Sequence, residues 1–154
     1  MLNAGNIVGT GTFSVRPTTG NLTLRGMNGW TVDVEGTATW GDYDMTFGQD
    51  TLNGIPYASM RVRSGGVFDI QHGIITPREL FALGSATPPN VVFTIDAGGT
   101  IRKTAGSGVS NLRSRILMSG NFSALSGTIN VQGTCVMSGT KSGPGSVTGQ
   151  CGTF

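Results

Sequence analysis

At 154 residues and a formal net charge of +2, the chain fits one domain and is too weakly basic to act as a general polycation toward nucleic acid. Charged residues make up only 12% against 37% hydrophobic, with 26 glycines, which points to a turn-rich β protein whose surface is largely covered by neighbouring copies. Regular apolar/polar alternation along most of the chain excludes a disordered polar polymer.

A domain of this length buries roughly 68–70% of the surface its unfolded chain exposes, so neither a metal nor a disulfide is needed for folding. Met1–Gly11 carries no basic segment followed by an apolar core, so no secretory signal is expected. No apolar run approaches a membrane span. The expected site of synthesis is therefore a cytoplasm, and Cys135 and Cys151 read by default as reduced thiols.

Ile7–Arg16 alternates weakly, with Phe13 and Val15 inward. Pro17-Thr18-Thr19-Gly20 is a turn signal, and Asn21–Arg25 continues as the second arm of a first hairpin. Thr31–Trp40 carries the clearest pattern in the chain. Val32, Val34, Ala38 and Trp40 share one side of a period of two, and Thr31, Asp33, Glu35, Thr37 and Thr39 share the other. This is a half-buried strand, and Gly36 within it signals a bulge or a close approach by another backbone. Asp42–Pro56 begins as a strand and ends as an exposed loop tip presenting Leu52 and Ile55.

Tyr57–Arg63 and Val67–His72 read as strands around the turn Ser64-Gly65-Gly66, with Phe68, Ile70 and His72 on one face. Thr76–Gly84 is predicted to be the one helix: Thr76 and Glu79 form a capping box, Pro77 takes the first helical position and Gly84 the C-cap. Two to three turns are unstable alone, so this helix is expected to lie on the sheet. Val91–Asp96, Thr100–Thr104 and Leu112–Ser119 follow as strands, and Ser126–Ser138 is the closing one. Gly139–Phe154 is expected to be an unpatterned Gly/Ser-rich tail that orders only against a neighbour. No internal repeat of fixed period is evident. The fold expected is mainly β: an antiparallel β-sandwich or half-barrel over residues 1–138, with a long loop at 42–56, one short helix packed on the sheet, and the tail at 139–154.

Catalytic chemistry finds little support. His72 is the only histidine. Asp69 lies near it in sequence, but no strand–Ser–helix elbow accompanies them, and a structural histidine is expected. One His with two distant Cys has no zinc spacing. Asp33 and Glu35 point outward from one strand rather than across a cleft. Trp30, Trp40, Tyr43 and Phe47 read as core and interface rather than a stacking platform. No catalytic residue, metal or cofactor is expected.

The charges are unevenly placed. Asp33, Glu35, Asp42, Asp44 and Asp50 fall in a stretch free of Lys and Arg, while Arg61 with Arg63, Arg102 with Lys103, and Arg113 with Arg115 form three later basic pairs. These suggest complementary patches on subunits that stack head to tail. The expected interface residues are Asp42, Asp44, Asp50, Leu52, Ile55, Arg61, Arg63, Arg113 and Arg115, and a Cys135–Cys151 disulfide, within or between chains, is a further candidate.

The layout resembles the tail tube protein family of contractile-tailed phages. It is carried by Gly26 closing the opening hairpin, the loop Asp42–Pro56 with Gly48, Asp50 and Gly54, the helical Pro77–Leu83 and the long closing strand Ser126–Ser138. The resemblance implies a virion protein assembled in the host cytoplasm into stacked hexameric rings. DNA would pass through their lumen without specific binding, and sheath, baseplate and tail-terminator proteins would be partners. A capsid decoration protein and a secreted carbohydrate-binding or adhesin sandwich are the alternatives.

Overall fold

The computed structural model describes residues 12–14, 22–25, 31–41, 45–48, 59–72, 78–83, 92–113, 115–132 and 135–149. The chain winds through successive three-strand coils. The first holds β1 (Thr12–Ser14), β2 (Leu22–Arg25) and β3 (Thr31–Val34). The second holds β4 (Thr37–Trp40), β5 (Met45–Gly48) and β6 (Ser59–Val62). The third holds β7 (Val67–Ile70), β8 (Arg78–Leu83) and β9 (Val92–Ile95). The fourth holds β10 (Thr100–Lys103), β11 (Val109–Arg113) and β12 (Arg115–Met118). The fifth holds β13 (Asn121–Ala124), β14 (Thr128–Val131) and β15 (Cys135–Met137). A sixth is begun by β16 (Lys141–Ser142) and β17 (Ser146–Gly149).

Every third strand pairs, giving three sheets in the orders β1-β4-β7-β10-β13-β16, β2-β5-β8-β11-β14-β17 and β3-β6-β9-β12-β15. All the pairings are parallel. The architecture is a three-sided parallel β-helix, a solenoid in which each coil covers the next.

This corrects the antiparallel sandwich. Period-two alternation shows that a strand is wet on one face and says nothing about the direction of its partners. Antiparallel pairing was the natural inference, because parallel sheets are usually buried on both faces. A solenoid is the exception: its sheets face a common lumen on one side and solvent on the other. β1 and β2, read as the arms of a hairpin, lie in different sheets; Pro17–Gly20 lie outside the described residues, and the described turn Ser64–Gly66 carries the chain on from β6 to β7 in another sheet. Thr31–Trp40 is accordingly two strands, β3 and β4, in different sheets, with a bend at Glu35 and Gly36. The inward phase survives the corner, so Val32, Val34, Ala38 and Trp40 are all core residues.

The expected helix is also overturned. Arg78–Leu83 is strand β8, held between β5 and β11 with Leu80 in register with Met45 and Leu112. Thr76, Pro77 and Gly84 lie outside the described residues. A backbone ladder on both sides outweighs a local capping motif that two helical turns cannot exploit alone. The stretch expected as a tail contributes β16 and β17, which pair with β13 and β14.

A coil has no fixed length, which is why no repeat was legible. β4, β7, β10 and β13 begin at Thr37, Val67, Thr100 and Asn121. The number of residues between strands differs from coil to coil while the ladders stay in register.

One corner is built on glycine. Val67, Thr100 and Asn121 donate their N–H to the carbonyls of Gly36, Gly66 and Gly99 one coil back, at 2.8, 3.0 and 2.9 Å. The stack continues through Gly120 and Gly139, where a Cβ would meet the carbonyl oxygen of the preceding glycine in the stack at 2.3 and 1.4 Å. Another corner repeats the device, Thr128 and Ser146 donating to Gly108 and Gly127 at 3.1 and 2.9 Å.

The lumen is filled by stacked columns such as Ala38–Phe68–Ile101–Phe122 and Val34–Val62–Ile95–Met118, all buried. Phe68 meets Phe93 edge-on at 5.3 Å between centroids. Cys135 closes the column Val32–Met60–Phe93–Ile116 and is disulfide-bonded. The sequence holds one other cysteine, Cys151, which lies outside the described residues. Unreduced, denatured protein is therefore expected to show no thiol reactive toward Ellman's reagent, and appearance of thiols without reductant would contradict this.

Candidate functional site

Four polar groupings stand out, one inside the lumen and three on the outer faces. Inside, His72 Nε2 lies 2.9 Å from Ser110 Oγ, and its ring meets Trp40 edge-on at 5.0 Å. Lys103 is buried nearby in chain terms, in the column Trp40–Ile70–Lys103–Ala124. His72, Ser110 and Lys103 have 0% exposure. A serine beside a histidine has the parts of an activated nucleophile, but neither side chain has exposed surface. Asp69 and His72, paired on paper, find different hydrogen-bond partners. Asp69 bonds to outward-facing residues, whereas His72 bonds into the lumen.

On the outer face of the first sheet, Asp69 accepts from Gln71 Nε2 at 2.9 Å, Arg102 Nη2 at 2.9 Å and Thr104 Oγ1 at 2.8 Å. Asp69 and Arg102 are direct neighbours in the parallel register. The carboxylate is only 1% exposed and fully supplied with donors, as a buried charge must be.

The third sheet carries the basic pair singled out in the sequence. Arg61 Nε donates to both oxygens of Asp96 at 3.0 and 2.9 Å, and Arg63 Nη2 donates to Asp33 Oδ2 at 2.6 Å. The hydrogen bond to Asp33 holds the Arg63 guanidinium above its usual pKa against the opposing effect of burial, helped by the charges of Asp33, Asp96 and Glu35. Arg61 and Arg63 thus spend their charge inside the chain, one coil across. Asp33 is buried and Asp96 is not. Arg63→Ala is therefore expected to lower the urea midpoint more than Arg61→Ala, since it strands the buried carboxylate; equal midpoints would refute the difference.

The outer face of the second sheet bears a polar ladder. Asn111, Asn130 and Thr148 share one row, and Arg113 and Gln132 begin another, two residues along the strands. Thr148 Oγ1 donates to Asn130 Oδ1 at 3.1 Å, and Asn130 Nδ2 donates to Asn111 Oδ1 at 2.8 Å. Gln132 Nε2 reaches the same Asn111 oxygen at 3.1 Å, and Arg113 Nε donates to Gln132 Oε1 at 2.6 Å.

Of the residues expected at an interface, Arg61, Arg63 and Arg113 are placed as above. Arg115 is described only as the first residue of β12. Asp42, Asp44, Asp50, Leu52 and Ile55 lie outside the described residues. Among the described residues no group of three or more His, Cys, Asp or Glu could hold a metal ion. The amide ladder was missed, though it left a trace: Asn111-Leu112-Arg113 and Asn130-Val131-Gln132 repeat one pattern at the coil spacing. The His72–Ser110 contact left none, because nothing in a sequence says which loops a solenoid will absorb.

No family model, no curated protein and no solved structure matches this chain.

Proposed function

We propose that the protein is structural: a rigid solenoid segment of an extended assembly, not an enzyme. The observation that carries this reading is where the polar chemistry goes. Arg61 with Asp96, Arg63 with Asp33 and Arg102 with Asp69 are tied into pairs within the wall, and the contacting His72 and Ser110 have no exposed surface. Such a wall resists local opening, since each coil is held by ladders on both sides. The disulfide-bonded Cys135 supports a working place outside the reducing cytosol, such as a virion or cell surface.

A place in a phage virion rests on the resemblance in layout alone. The antiparallel sandwich expected alongside it is a stack of parallel sheets instead, so the part carried forward is the coarser one: a self-associating structural protein. Negative-stain microscopy and fibre diffraction of concentrated protein test it. Rods with a repeat of about 4.8 Å along their long axis are expected. Hollow six-fold rings would restore the tube, and a particle that stays monomeric at all concentrations would overturn self-association.

A further inference from the structure

From the outer face of the second sheet we infer a binding strip for a neutral polysaccharide, centred on Asn130, Gln132, Arg113 and Thr148. Asn130 is half-buried and the other three are exposed. Their mutual hydrogen bonds fix the side chains before any ligand arrives, so binding loses little further rotamer entropy. The network leaves capacity facing solvent. A primary amide has two N–H donors and an acceptor oxygen with two lone pairs, and a hydroxyl accepts as well as donates. Asn130 and Gln132 each use one N–H and one acceptance within the ladder, and Thr148 uses its donor. The second N–H of each amide and the Thr148 lone pairs remain for a ligand.

The result is a small rigid lattice: the amide donors of Asn130 and Gln132 on one coil, and the Thr148 acceptor about 4.8 Å away on the next. A ligand whose groups both donate and accept, repeated along a chain, fits that lattice. A glycan's hydroxyls have this property. A phosphate backbone offers acceptors only and needs several cations, whereas this face presents the single cation Arg113 among the four residues. An apolar partner would find no apolar side chain among them.

Affinity electrophoresis of the full chain in native gels containing dextran, soluble starch, hydroxyethyl cellulose or galactomannan tests this. Retardation by at least one is expected, little changed by high salt because the polymers carry no charge. Gln132→Ala and Asn130→Ala should each weaken it by about fivefold per hydrogen bond lost. Lys141→Ala, at an exposed position of the first sheet, should leave it intact. Melting temperatures of all three variants show whether a loss reflects folding, and Gln132→Glu, which keeps the side chain's size but replaces its donors, gives a second measure. No retardation by any of the four polymers overturns the strip, as does retardation that the Gln132 and Asn130 variants leave unaltered.

Discussion

Gly120→Ala is expected to destabilise the protein by about 3 kcal/mol, a fall of roughly 6–12 °C in melting temperature, whereas Gly65→Ala at the same corner should cost only about 1 kcal/mol. A Cβ on Gly120 would sit 2.3 Å from the Gly99 carbonyl oxygen, 2.6 Å from that of Asp96 and 2.6 Å from Ile95 Cγ2. Two of these are backbone atoms, locked by the ladder, and cannot yield without shifting a coil. Gly65 has the positive φ of 78° but nothing within 4 Å of its would-be Cβ, so it bears the conformational cost alone. The pair therefore separates close stacking from backbone strain. Equal losses at both sites, read by thermal melts, would show that the glycine column is not what lets the coils approach.

Trp40→Ala should cost about 3–5 kcal/mol. Trp40 has no exposed surface, stands 6.3 Å from Phe68 and 5.0 Å from His72 between centroids, and leaves a void that a ladder-locked wall cannot collapse to fill. The His72 ring is placed against the indole edge-on, so the two should be energetically coupled. A double-mutant cycle of Trp40→Leu with His72→Leu is expected to return about 0.5–1.5 kcal/mol of interaction. Additive losses would show that the ring contact contributes no more than its buried area.

Reading the chain one strand at a time recovered the inward phase of Val32, Val34, Ala38, Trp40, Phe68 and Ile70, because pleating imposes a period of two whatever the partner. It recovered the turn at Ser64–Gly66 for a similar local reason: glycine with positive φ there, 78° at Gly65, permits a sharp change of direction. It failed at Arg78–Leu83, where capping residues argued for a helix and two flanking strands claimed the backbone. The low charge also has a source within the chain that reading single strands does not reveal. The outward amides and hydroxyls of Asn111, Asn130 and Thr148 are supplied by the next coil of the same chain, so the wall needs few charges to be satisfied.

The polar site was legible only in fragments. Arg61, Arg63 and Arg113 were visible as charged positions, but their partners Asp96, Asp33 and Gln132 stand 35, 30 and 19 residues away. Spacings that vary from coil to coil conceal such pairs.

By itself, the order of residues determined that this chain would be made of short strands with one dry face, joined at glycine. Which strand lies beside which, and in what direction, was decided in three dimensions. The alternation is a property of one strand, whereas parallel stacking is a relation between residues a whole coil apart. That relation is enforced by ladder hydrogen bonds and by glycine corners narrow enough for one backbone to rest on the next.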